Sequence, residues 1–204
     1  MPGTLISLPD FLFHLFGIIM GYLFYKSNKT GKTIVLTFSL IGCFFIYFKG
    51  YDMWIHKLNF GTFSGKIEMV VTPNFQFTDE KGEMCSISDF SGKYVVVDFW
   101  FTGCGICFKK FPKVQDLYDK YKDNPSISIF SMNAKIEQDT ESAAFETIQK
   151  RGYSFPVYRL NMKDSILMEL GVNKYPTVLI FDKNGTAIFR GDIEKASDFI
   201  NKLF

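Results

Sequence analysis

The sequence predicts an α/β domain carried behind one or two apolar helices, on three observations. Val95-Val96-Val97 leads into Asp98-Phe99-Trp100, a run apolar and β-branched enough for a central strand. From Phe108 the pattern turns helical: Phe108, Phe111, Val114, Leu117, Tyr118 and Tyr121 share one face, with lysines between them. Ahead of both, Phe11 to Tyr25 is nearly free of polar side chains and Thr33 to Phe48 carries no charge.

Taken in order, residues 1–50 read as a membrane anchor, residues 51–65 as a short tether and residues 66–204 as the folded domain. A bilayer core of about 30 Å needs around 20 helical residues. The first apolar run reaches that length by including Leu5 to Asp10, the second by extending into Tyr51 and Trp54, with aromatic ends in the interface. Between them lies the basic connector Lys26-Ser27-Asn28-Lys29-Thr30-Gly31-Lys32. Three lysines there and none before Phe11 put the connector in the cytoplasm and the domain outside, although Lys49 and Lys57 weaken the count. If only the second run spans, the same lysines still act as its cytoplasmic flank. A lipid anchor is the third option, because Leu40-Ile41-Gly42-Cys43 resembles the box cut and lipidated in bacterial lipoproteins. Against it, Phe44 to Phe48 continue the apolar run and the basic flank starts far into the chain. Cys43 then reads as a small apolar residue in a span. A buried hairpin of one soluble protein is a poor alternative, since the roughly 140 residues that follow suffice for a core of their own.

The chemistry centres on Cys104-Gly105-Ile106-Cys107, at the junction between the predicted strand and the predicted helix. A thiolate is the attacking species in disulfide exchange, and unpaired N–H groups at a helix N-terminus stabilise it. Two intervening residues keep the second sulfur close enough to resolve a mixed disulfide. Half of a zinc site is the alternative, but tetrahedral zinc needs four ligands. Only Cys43, Cys85, His14 and His56 remain, and both histidines precede the domain. No metal and no cofactor beyond the Cys104–Cys107 pair is therefore expected. A net charge of +2 gives no support to nucleic-acid binding. Cys85, in a predicted hairpin, reads as an unpaired small residue.

Asp98 and Trp100 stand six and four positions before Cys104, and Pro112 five after Cys107. These offsets resemble thioredoxin. So does Asn173-Lys174-Tyr175-Pro176-Thr177-Val178-Leu179-Ile180-Phe181-Asp182-Lys183-Asn184-Gly185, which is similar to the segment holding the cis-proline opposite the cysteines. Pro176 would be that proline, a substrate segment pairing with the backbone beside it. Pro73 to Gly82 followed by Asp89 to Lys93 reads as a hairpin ahead of the core strand. About Asn133 to Leu170, including Phe155-Pro156-Val157, reads as an extra helix and strand. Both additions resemble the TlpA/ResA branch of membrane-tethered bacterial thiol-disulfide reductases. The resemblance covers roughly Ile67 to Phe204. It implies a thioredoxin-like α/β fold with an N-terminal β-hairpin and a central α/β insertion, preceded by one or two transmembrane helices. Peroxiredoxins share the frame but need a Pro and a Thr where this chain has Val97 and Phe101.

The resemblance also implies roles. Cys104 attacks a protein disulfide, and Cys107 resolves the mixed disulfide after losing its proton to Asp98. Trp100, with Phe101, frames the site, and Trp100, Tyr175 and Pro176 bind substrate, the last two along its backbone. Asp98, a carboxylate on a buried strand, should have a raised pKa, which suits a base. Gly103 stands where relatives commonly carry Trp, which removes an apolar shield over the sulfur, and Ile106 where they carry Pro. Lys110 replaces a Glu that shuttles protons; pointing inward it would favour thiolate, pointing outward it is a solvated lysine. The implied partners are exported proteins with disulfides, such as those awaiting haem, and an electron donor in the bacterial inner membrane, with the catalytic domain on its periplasmic or extracytoplasmic side. A disulfide-forming oxidase and a redox-inert binding module are the alternatives. A copper carrier of related fold needs a late histidine, and none follows His56.

Overall fold

The computed structural model describes residues 8–67 and 75–204. The chain divides into two compact units, Met1–Ser64 and Gly65–Phe204.

The first unit is helical. α1 spans Leu8–Lys26 and α2 spans Lys29–Phe45. The basic connector expected over residues 26–32 shrinks to the break at Ser27 and Asn28. Asn28 is the N-cap of α2, its side chain accepting from the Gly31 N–H at 2.9 Å, so Lys29 and Lys32 already lie in the helix. The segment read as a tether is also mostly helical. α2 continues through a wider turn at Ile46–Gly50 into α3 (Tyr51–Phe60), and Gly61 closes it in the left-handed conformation. Among the described residues, one helix is long and apolar enough to cross a membrane: Lys29–Phe60, 32 residues, within which an 18-residue stretch has a mean hydropathy of 1.7.

The second unit is built on a seven-stranded sheet in the order β2-β1-β5-β4-β3-β6-β7. Its strands are β1 (Gln76–Thr78), β2 (Met84–Ser86), β3 (Tyr94–Trp100), β4 (Ile127–Lys135), β5 (Val157–Asn161), β6 (Thr177–Phe181) and β7 (Ala187–Gly191). β3, β4 and β5 run parallel, while β6 and β1 are antiparallel to their inner neighbours. The helices are α4 (Gly105–Tyr121), α5 (Ala143–Lys150), α6 (Ser165–Glu169) and α7 (Ile193–Asn201). The expected hairpin is β1–β2, and it docks on the sheet edge beside β5. Pro73 and Asn74 lie outside the described residues. In its turn the Asp79 carboxylate accepts from the N–H groups of Lys81 and Glu83, and Gly82 supplies the positive φ. The expected insertion is α5 and β5, which place a strand between β1 and β4.

The period of two along β3 sorts its side chains between two cores. Val95, Val97 and Phe99 pack with Phe77, Phe130 and Leu167 under α6 and the hairpin. Val96 and Trp100 pack with Phe111 and Val114 of α4 and with Ala196 and Ile200 of α7. Asp98 lies between Val96 and Trp100 in that alternation, so it belongs to the α4 side. Backbone also approaches backbone at the domain's N-terminal edge. There Gly65 has φ +88 and its O accepts from the Arg190 N–H, while an added Cβ would stand 2.1 Å from the Phe189 ring.

Candidate active site

Cys104 ends the loop after β3 and is the N-cap of α4; Cys107 sits in the first turn. They form a disulfide with a Cα–Cα distance of 5.3 Å, and the Cys107 N–H donates to Cys104 Sγ at 3.2 Å. Once the bond is reduced, that N–H and the positive end of α4 favour thiolate on Cys104. Both sulfurs are largely covered: Cys104 is 4 % exposed and Cys107 fully buried. The edge that can be reached is Cys104.

Asp98 lies in the sheet beneath this turn, 2 % exposed, with no hydrogen-bond partner for either carboxylate oxygen. Burial pushes its pKa up from 3.8 to about 8. A carboxyl group poised near neutrality on the dithiol's side of the sheet can take a thiol proton and release it again. Pro176 follows a cis Tyr175–Pro176 bond at the start of β6, the strand beside β3. Tyr175 is half-buried and meets the Phe101 ring edge-on at 5.4 Å.

Trp100 is a correction. It was expected to frame the site and contact substrate, but it is fully buried, edge-on to Phe111 (5.2 Å) and Phe108 (6.1 Å) beneath α4. In this position it packs beneath the helix that carries the cysteines. The partly exposed ring in the loop is Phe101. It also answers for Gly103: a Cβ there would lie 3.0 Å from Phe101 Cε2, so the Phe101 ring fills space that a side chain at 103 would take. Lys110 turns outward. It pairs with Glu194 of α7, which Lys113 also contacts at 2.6 Å. Burial alone would raise the Glu194 pKa, but hydrogen bonds from the two lysines pull it down to about 2. The pair ties α4 to α7.

Sequence reasoning passed over a loop anchor. Thr102 Oγ1 donates to Asp139 at 2.7 and 2.8 Å from its two oxygens, linking the loop before Cys104 to the segment after β4. No spacing rule reaches across 37 residues of chain. Asp139→Ala is expected to cost about 1–2 kcal/mol of stability, read as a lower urea midpoint at unchanged slope. Cys85 needs no role: burial, then the nearby Asp79, Asp89 and Glu83, raise its pKa and keep it a poor nucleophile.

A redox-active Cys-x-x-Cys at a helix N-terminus, over a buried carboxylate and against a cis-proline strand, defines a thioredoxin-like thiol-disulfide oxidoreductase acting on protein disulfides. Residues 70–189 match the AhpC/TSA family, and the chain belongs to it. Val97 and Phe101 stand at the positions compared above with the Pro and Thr of peroxiredoxins. The chain is 29% identical over 183 residues to thiol-disulfide oxidoreductase ResA of Bacillus thuringiensis subsp. konkukian, covering 87% of this chain and 98% of that one. It is 32% identical over 131 residues to the ResA of Bacillus thuringiensis strain Al Hakam, covering 63% and 73%. Among solved structures, the thioredoxin domain of a thiol-disulfide oxidoreductase from Bacteroides vulgatus superposes with a TM-score of 0.57 at 26% identity, over 65% of this chain and 94% of that one.

Proposed function

We propose that the enzyme is a membrane-tethered reductase on the extracytoplasmic side, keeping cysteines of exported proteins reduced. The observation that carries the chemistry is the N-cap position of Cys104 above the buried, unpaired Asp98. Cys104 thiolate attacks a substrate disulfide, giving a mixed disulfide and releasing one substrate thiolate. Cys107 passes its proton to Asp98, attacks Cys104 Sγ and releases the second substrate thiolate. Tyr175 and the backbone at Pro176 hold the extended substrate segment beside the disulfide. No metal or other cofactor enters this cycle. The enzyme disulfide is then reduced again by an electron carrier in the membrane.

The anchor reading rests on the helix Lys29–Phe60 and on Lys26, Lys29 and Lys32 at its start, which favour a cytoplasmic start and an exported domain. Whether α1 also spans decides only where the N-terminus lies.

The equilibrium reduction potential tests the direction of electron flow. A value near −270 mV, about that of thioredoxin, is expected. A value near −120 mV, about that of DsbA, would make the protein an oxidant and reverse the proposal.

A further inference from the structure

The strand beside the catalytic one holds polar groups that the dithiol mechanism has not used. β4 reads Ile127-Ser128-Ile129-Phe130-Ser131-Met132-Asn133, with Ile127 and Ile129 in the core on the α4 side and Phe130 and Met132 in the other. Alternation therefore brings Ser131 and Asn133 to the dithiol's side. The parallel register sets Ser131 beside Asp98 and Asn133 beside Trp100. Ser131 is fully buried and Asn133 is 1 % exposed. Ser131 Oγ and Asn133 Nδ2 have no hydrogen-bond partner, and neither do the Asp98 oxygens. Unpaired buried polar groups are scarce in folded proteins. Here three donors, Ser131 Oγ, Asn133 Nδ2 and the Trp100 indole Nε1, and one acceptor share one face of two adjacent strands.

Among the described residues, no charged group acts on Asp98; burial alone shifts its pKa. α4 brings Cys107 and Phe111 to this side, while its Lys110 pairs with Glu194. β6 brings Val178 and α7 brings Ile193, Ala196 and Ile200. On β5, past Asn133, the Arg159 guanidinium is taken by Glu141.

We infer that Ser131 and Asn133 are positioning residues for Asp98, donating hydrogen bonds from Oγ and Nδ2 to its carboxylate, directly or through a buried water, when it is ionised to receive the Cys107 proton. The inference rests on the reading of Asp98 as the proton acceptor. The donors favour the charged carboxylate, so a larger share of the enzyme is competent to deprotonate Cys107 at a given pH. Cys107 loses a proton, Asp98 gains it, and the sulfur then forms the bond to Cys104 as the substrate thiolate leaves.

The resolving step can be read alone. A mixed disulfide between Cys104 and thionitrobenzoate is formed on the full-length protein in detergent, and release of the coloured thiolate is followed from pH 5 to 9. Ser131→Ala and Asn133→Leu are each expected to move the profile midpoint up by about one pH unit, slowing release about tenfold at pH 7. Ser131→Thr, which keeps the hydroxyl, should restore the parent profile, and neither substitution should add to Asp98→Asn. Parent profiles in both variants, with Asp98→Asn shifted, would overturn the role of the donors alone. A parent profile in Asp98→Asn would remove the acceptor itself and this inference with it.

Discussion

Asp98→Asn is expected to stabilise the oxidised enzyme at neutral pH while slowing its chemistry. In the unfolded chain the carboxyl group ionises near its ordinary 3.8, but in the fold it holds its proton to about 8. Below about pH 4 both states are protonated and the group contributes no difference. Between about 4 and 8 the folded state binds the extra proton, so stability falls as pH rises; above about 8 the loss is complete. At about 1.4 kcal/mol per pH unit, this amounts to roughly 4 kcal/mol by pH 7. A neutral Asn removes that slope. Urea unfolding of the oxidised proteins at pH 4.5 and pH 7.5 checks it. The parent should lose stability across the interval and the variant should not; parallel behaviour would mean that Asp98 ionises freely in the fold. The same substitution should slow the resolving step by about a hundredfold, the scale of a lost general base.

The two cysteines should fail in different ways. Cys104→Ser is expected to abolish insulin-disulfide reduction, because the buried Cys107 cannot reach a bulky protein disulfide. Cys107→Ser keeps the attacking sulfur but leaves nothing to displace the bound substrate. It should accumulate mixed disulfides through Cys104, seen as bands lost on adding reductant in non-reducing gels. Trapping by Cys104→Ser instead would exchange the two roles. Absence of any trapped species in Cys107→Ser would count against a covalent intermediate.

Much of this was legible in the chain itself. The change of hydrophobic period across Cys104-Gly105-Ile106-Cys107 located a strand-to-helix junction, because periodicity follows from local geometry alone. β3 ends at Trp100 and α4 starts at Gly105, as that spacing predicts. The hairpin and the α5–β5 insertion were read from segments that resemble the TlpA/ResA branch, although not the place of the hairpin at the sheet edge. The apolar helix from Lys29 was legible from composition as far as Trp54, whereas its continuation to Phe60 was not, since His56 and Lys57 break the apolar pattern without breaking the helix.

The sequence by itself determined which residues carry the redox chemistry, because Cys-x-x-Cys at a helix start is a local arrangement whose reactivity comes from its own turn. Tertiary structure alone decided how far each neighbour takes part. Trp100 sits near the cysteines in sequence yet is sealed beneath α4, because burial depends on what packs above a residue. Phe101 covers Gly103, Asp139 holds Thr102, and Ser131 and Asn133 stand on Asp98's side of the sheet. Each of these depends on strand register and packing between distant segments, which spacing along one strand or helix does not encode.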